Sequence, residues 1–166
     1  DPHDYDREYC VDLMQLTTFL RKTQPEVAVV LDLDNDSPTR KKFLARLEGE
    51  ITKRGTIDVL RNGIKHGAHD LDLFYGTPSA GNEKAKALYA ANHFSVTRQL
   101  RYSRDESQLS LDMGAFINGL PVATFELKNS LTKQTIADAV KQFKTDRDPR
   151  EKLFVFGRCI AHFAVD

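Results

Sequence analysis

Near the start of the chain, apolar residues recur three and four apart at Tyr9, Leu13, Leu16 and Leu20. That spacing predicts an amphipathic helix over residues 5–22. Residues 27–33 read equally well as strand or helix. Ser37-Pro38 is a helix start, with serine as N-cap and proline in the first turn. The helix it opens spans about 38–54, with Phe43, Leu47 and Ile51 on one face. The pattern leaves open whether it runs past Gly55. Asp70 to Tyr75 alternates polar and apolar residues as a strand does, Gly76 to Gly81 is a loop, and Glu83 to His93 is a helix. Strands follow at about 94–103, 109–117 and 121–128. A helix over 133–145 then begins near Thr132, and strands at 153–157 and near 159–165 close the chain. This order predicts an α/β fold, a mixed sheet with a central antiparallel hairpin flanked by helices. Residues 1–36 read as an N-terminal helical segment and 37–166 as one domain.

Charges interrupt the apolar pattern at the hairpin. Its first strand carries Asp112 and its second carries Glu126-Leu127-Lys128, on either side of Asn118-Gly119. Alternate residues of a strand share a face, so a one-residue slip sends every side chain to the other side. A two-residue turn at Asn118-Gly119 would set Asp112 opposite Phe125. A three-residue loop, Asn118-Gly119-Leu120 with Gly119 left-handed, sets Asp112 opposite Glu126 and Ser110 opposite Lys128. In that register Leu111 meets Leu127, Met113 meets Phe125 and Ala115 meets Ala123, an apolar face throughout. The hydrophobic pattern selects this second register, reached by a three-residue loop or by a compensating bulge.

Two acids and a lysine gathered on one hairpin face suit metal-dependent phosphodiester chemistry. Mg²⁺ takes oxygen ligands, and one or two carboxylates with waters and a substrate phosphate is its usual protein setting. Asp112 and Glu126 would supply the carboxylates and the Leu127 carbonyl a further ligand. Lys128, on the Glu126 face, would orient the attacking water or neutralise the charge that develops on the phosphate. A half-buried hairpin with solvent-facing charges would show the same spacing, and spacing alone does not choose between the two.

The acid followed by Glu-x-Lys on the next strand resembles the PD-(D/E)xK nuclease superfamily. The wider text resembles the N-terminal nuclease domain of the restriction (R) subunit of type I restriction-modification enzymes. It comprises Leu88-Tyr89-Ala90-Ala91-Asn92, Phe94 to Leu100, Tyr102, Ser110-Leu111-Asp112, Asn118 to Ala123, Phe125-Glu126-Leu127-Lys128-Asn129 and Thr145 to Arg150. The resemblance implies a restriction-endonuclease-like fold and double-stranded DNA cut away from the recognition site, with Mg²⁺ as cofactor and Mn²⁺ as a substitute. It implies Asp112 and Glu126 as metal ligands and Lys128 as the catalytic lysine. It also implies a cytoplasmic enzyme acting with specificity and methyltransferase subunits. Such nucleases often carry an acid on an early helix, a role for which Glu48 and Glu50 compete and Glu50 is the candidate. Leu111 stands where the superfamily motif has proline. The Gln-x-x-x-Tyr motif of many relatives is not intact, and Gln142 is its nearest equivalent. Other readings of the same residues are a stand-alone repair nuclease and a non-catalytic DNA-binding or assembly module.

Charge refines this picture. The 166 residues carry a formal net charge of zero, so no global field attracts DNA. Basic residues nevertheless flank the hairpin: Lys84, Lys86, Arg98, Arg101 and Arg104 before it, Lys133, Lys141, Lys144, Arg147 and Arg150 after it. Arg98, Arg101, Lys133 and Lys141, with Gln142, are the candidate DNA contacts; phosphate binding of this kind is independent of base sequence. No apolar run approaches a membrane span. The chain opens without methionine and closes within an apolar run, as a piece of a longer polypeptide would.

Other motifs are incomplete. Gly76 to Glu83 has the glycine spacing of a phosphate loop but lacks its Lys-Ser/Thr, so ATP is not expected to bind here. Asp32 to Asp36 begins like a calcium loop but has Ser37 and Phe43 where glycine and glutamate are needed. His66 and His69 lack further ligands, and Cys10 and Cys159 read as buried thiols.

Overall fold

The computed structural model describes residues 4–105, 108–128 and 136–165. A small antiparallel pair, β1 (Tyr5–Asp6) and β2 (Val11–Asp12), precedes the first helix, α1 (Leu13–Thr23). The helix starts later than its apolar spacing suggests because Asp12 caps it, accepting from the Gln15 amide at 3.0 Å. Residues of the ambiguous run fall in α2 (Pro25–Val30) and the turn after it. α3 (Pro38–Arg54) has the expected bounds, with Ser37 accepting from the Arg40 amide at 3.2 Å. It stops at Gly55, whose φ of 82° breaks the helix, and α4 (Thr56–Asn62) begins. The expected strand from Asp70 is shorter: β3 (Ile64–His66) pairs with β4 (His69–Leu71) as a hairpin.

After α5 (Glu83–Tyr89), four strands form the main sheet: β5 (Phe94–Arg101), β6 (Ser110–Ile117), β7 (Leu120–Leu127) and β8 (Ala161–Val165), in that order. The first three are antiparallel neighbours, and β8 runs parallel to β7. A parallel neighbour needs a crossover, and it contains α6 (Ile136–Lys141), which runs on as a π-helical turn, Gln142–Asp146. The expected helix start near Thr132 lies outside the described residues. The expected strand at 153–157 is instead a short 3₁₀ turn, Lys152–Phe154: Leu153 is buried while Phe156 is 99% exposed, so the run does not line a sheet. The result is the expected α/β class, a mixed sheet built around an antiparallel hairpin.

One hydrophobic core joins Leu16, Phe19 and Leu20 of α1 to Phe43, Leu47 and Ile51 of α3 and to Leu120 and Val122 of β7, and so packs residues from both sides of position 36. A second cluster joins Tyr5, Leu100, Tyr102 and Leu153 to Leu111 and Phe116 of β6. Among the described residues, no helix is long and apolar enough to cross a membrane.

Candidate active site

Local geometry at the hairpin turn fixes what the far end can do. Asn118 (φ 50°) and Gly119 (φ 83°) form a two-residue connection that pairs Ile117 with Leu120. Two successive positive φ values match the twist of the strands, and Asn-Gly is the sequence that adopts them. The turn is anchored. Asn118 Nδ2 donates to the Leu73 carbonyl at 2.9 Å, its Oδ1 accepts from the His93 amide at 2.6 Å, and a Cβ on Gly119 would lie 2.4 Å from the Asp12 carbonyl oxygen. Pro121, opposite Phe116, cannot donate to the ladder. The register then shifts by one, so that Ala115 meets Ala123, Gly114 meets Thr124 and Met113 meets Phe125. The expected pairing is thus reached through the compensating bulge, at Val122; the paired ladder runs as far as Met113 and Phe125, and Asp112 and Glu126 are the next residues on their strands.

The two carboxylates are held differently. Asp112 Oδ2 accepts from the Leu127 amide at 2.8 Å and Oδ1 from Gln99 Nε2 at 3.3 Å. Gln99 has a φ of 50° and interrupts the alternation of β5, so that the buried residues Thr97 and Leu100 fall three apart. Leu127 therefore reaches Asp112 through its N–H. Glu126 is buried, and Arg147 Nη2 donates to its Oε1. Burial raises the Glu126 pKa; Arg147 pulls it down, Asp112 pushes it up and Lys128 lowers it, with a net rise. The Lys128 amide donates to the Val165 carbonyl at 2.8 Å, which ties the lysine's backbone to β8.

Two carboxylates on adjacent strands are a donor set that fits a hydrated hard cation, because Mg²⁺ keeps several of its waters. Among the described residues no three His, Cys, Asp or Glu side chains converge for a metal. Glu50 is therefore not gathered with Asp112 and Glu126. Its oxygens are ion-paired to Arg46 at 2.9 Å and Arg54 at 2.8 Å along α3. Glu48 pairs with Lys152. An i,i+4 arginine on either side of Glu50 occupies the carboxylate that the resemblance offered to a metal.

Of the candidate DNA contacts, Arg98 and Arg101 are exposed on β5, with Arg101 paired to Ser110 two residues from Asp112. Lys141 is exposed at the end of α6, Gln142 is half-buried at the start of the π-helical turn, and Lys133 lies outside the described residues. His66 and His69 are cross-strand partners in the β3–β4 hairpin. Cys10 and Cys159 are free thiols, and burial pushes the Cys159 thiol up to about 12.

Sequence reasoning missed Gln99 and Arg147 as parts of the site. Arg147 stands in the Thr145 to Arg150 stretch that carries part of the resemblance, but nothing in its spacing pairs it with Glu126.

The family model of the type I restriction enzyme R protein N terminus matches residues 19–166. The chain belongs to that family. The type I restriction enzyme HindI endonuclease subunit of Haemophilus influenzae is 37% identical over 71 residues, 42% of this chain and 7% of that protein. The chain thus matches a small fraction of its relative's length. No solved structure matches it.

Proposed function

We propose that this R-subunit N-terminal domain is a Mg²⁺-dependent endonuclease that hydrolyses phosphodiester bonds of double-stranded DNA. The observation that supports the reading is that Asp112 and Glu126 follow the Met113–Phe125 pair on β6 and β7, with the Leu127 amide donating to Asp112 at 2.8 Å, in a chain of this family. Asp112 and Glu126 hold the metal, with the Leu127 carbonyl as a further ligand and Mn²⁺ as a substitute. When bound, Mg²⁺ polarises the scissile phosphate and acidifies an attacking water.

The chain's own residues do the rest. Asp112 is fixed by the Leu127 amide, so its carboxylate is preset before any ligand arrives. Glu126 is buried, so its carboxylate is shielded from bulk water. Lys128 brings a positive charge to the face where negative charge grows in the transition state. Arg98, Arg101, Lys133 and Lys141 hold the DNA backbone without reading bases, with Gln142 as an adjoining polar contact. For the whole enzyme the proposal extends to cutting away from the recognition site, ATP use outside this domain, specificity and methyltransferase partners and a cytoplasmic setting.

The test is a calorimetric titration of Mn²⁺ into the chain beside Asp112→Ala and Glu126→Ala, repeated with a short duplex. Binding by the parent that both substitutions remove supports the site. Binding unchanged in both, or absent even with duplex, overturns it.

A further inference from the structure

We infer that Arg147 is the positioning residue for Glu126, fixing which carboxylate oxygen of Glu126 is left to bind a metal; this rests on the reading of Asp112 and Glu126 as ligands. The side chains of Glu126 and Arg147 are 4% and 11% exposed. A carboxylate that buried stays charged only with a partner. Arg147 is that partner, and Glu126 does not hold it alone. Arg147 Nη1 donates to the Tyr102 hydroxyl at 2.9 Å and Nη2 to the Ser110 carbonyl at 3.0 Å. Its guanidinium carbon also lies 5.4 Å from the centre of the Tyr102 ring.

These anchors come from different strands. Tyr102 follows β5, Ser110 opens β6 two residues before Asp112, and Glu126 lies on β7. The guanidinium fork is therefore set by the sheet that carries Asp112, and it brings that framework to Glu126. With Oε1 taken by Arg147, Oε2 is the oxygen to which, among the described residues, no hydrogen bond is made. A planar fork with fixed donor directions can do this, whereas the point charge of lysine cannot reproduce all three bonds.

Orientation of a ligand by such outer contacts typically governs metal affinity by about 10- to 100-fold. The experiment is Mn²⁺ calorimetry on the full chain as parent, Asp112→Ala, Arg147→Lys and Tyr102→Phe, with each unfolding midpoint measured alongside. Arg147→Lys keeps the charge and loses the fork. The expected result is Mn²⁺ affinity at least about tenfold weaker in folded Arg147→Lys, and a smaller loss in Tyr102→Phe, which keeps the ring and drops one anchor. A merely structural Arg147 would lower the midpoint and leave the affinity of the folded protein unchanged, and that outcome overturns the inference. Tighter binding in Arg147→Lys overturns it too, since Arg147 would then be competing with the metal. If Arg147→Lys does not fold, Tyr102→Phe decides: parent affinity in that variant overturns the proposal. Titrations that do not distinguish parent from Asp112→Ala overturn the metal reading itself, and the inference with it.

Discussion

Asp112 is held by the strand that carries Glu126: the Leu127 amide donates to its Oδ2 at 2.8 Å. One backbone bond thus links the two acids through the register of the hairpin. Glu126 is buried and paired with Arg147, whereas Asp112 is half-buried, with one oxygen accepting from the Leu127 amide and the other from the Gln99 side-chain amide at 3.3 Å. The site has a rigid acid and a more accessible one.

Asp112→Ala separates chemistry from folding. The side chain is partly exposed and its loss leaves no buried charge unpaired, so the unfolding midpoint should change little. Cutting by an R subunit carrying the substitution should fall by about a hundredfold or more, with duplex affinity nearly intact. Cleavage and gel-shift assays on the same preparation check both. Cutting at the parent's rate by the pure variant would remove Asp112 from the chemistry.

Gly114 tests the packing behind the site. It lies opposite Thr97 and Thr124, and a Cβ there would come within 2.6 Å of Leu100 Cδ2 and 3.2 Å of Phe116 Cε2. Leu100 and Phe116 are almost fully buried and have little room to move. Gly114→Ala should therefore cost about 1–3 kcal/mol by overpacking, read as a lower urea midpoint at unchanged slope. Parent stability in the variant would mean that Leu100 repacks freely.

His162 should make stability depend on pH. It pairs with Thr124 across β7 and β8, with Thr124 Oγ1 2.6 Å from its Nδ1, and packs against the rings of Phe143 and Phe154. Burial lowers its pKa below the ordinary histidine value. The unfolded chain therefore takes up its proton first as pH falls. The stability this group contributes is fully present above the unfolded histidine pKa of about 6.5 and is lost as pH falls toward the folded value. Urea unfolding between neutral pH and mild acid should show the parent losing more stability than His162→Gln. His66 shifts in the same direction but is present in both proteins, so the difference isolates His162. His162 is exposed overall, so parallel pH curves would show that the Phe143 and Phe154 rings do not shield its imidazole enough to shift its titration.

How far the site was legible follows from where its information lies. The pairing of Met113 with Phe125 and Ala115 with Ala123 could be read because alternation of apolar residues penalises any other register. The route to it could not, because a three-residue loop and a two-residue turn with a bulge give the same pairing beyond Ala115. Ser37 marked a helix start through local backbone chemistry, which a sequence displays directly, whereas the stop at Gly55 was left open until its φ of 82° decided it. Leu153 to Phe156 looked like a strand because a short apolar run carries no direction, and only tertiary packing decides that Leu153 goes in and Phe156 out. Arg147 was invisible as a site residue for the same reason: its partner is 21 residues away and is met only through the crossover to β8.

Arg98 and Arg101 give the last test, of how DNA is held. Both are exposed on β5, and their positions opposite Met113 and Ser110 bracket Asp112 on the neighbouring strand. A phosphate backbone lying across Asp112 would pass within their reach. Each arginine–phosphate pair releases condensed counterions, so removing both arginines should weaken duplex binding at low salt and flatten its salt dependence. The log–log slope should shrink by about 1 for each arginine that binds a phosphate. The weakening should be uniform across duplex sequences, because phosphate binding carries no base information. Fluorescence anisotropy of Arg98→Ala/Arg101→Ala over a salt series measures this directly. A slope equal to the parent's would place the DNA on another face, while weakening confined to particular sequences would mean that β5 reads bases.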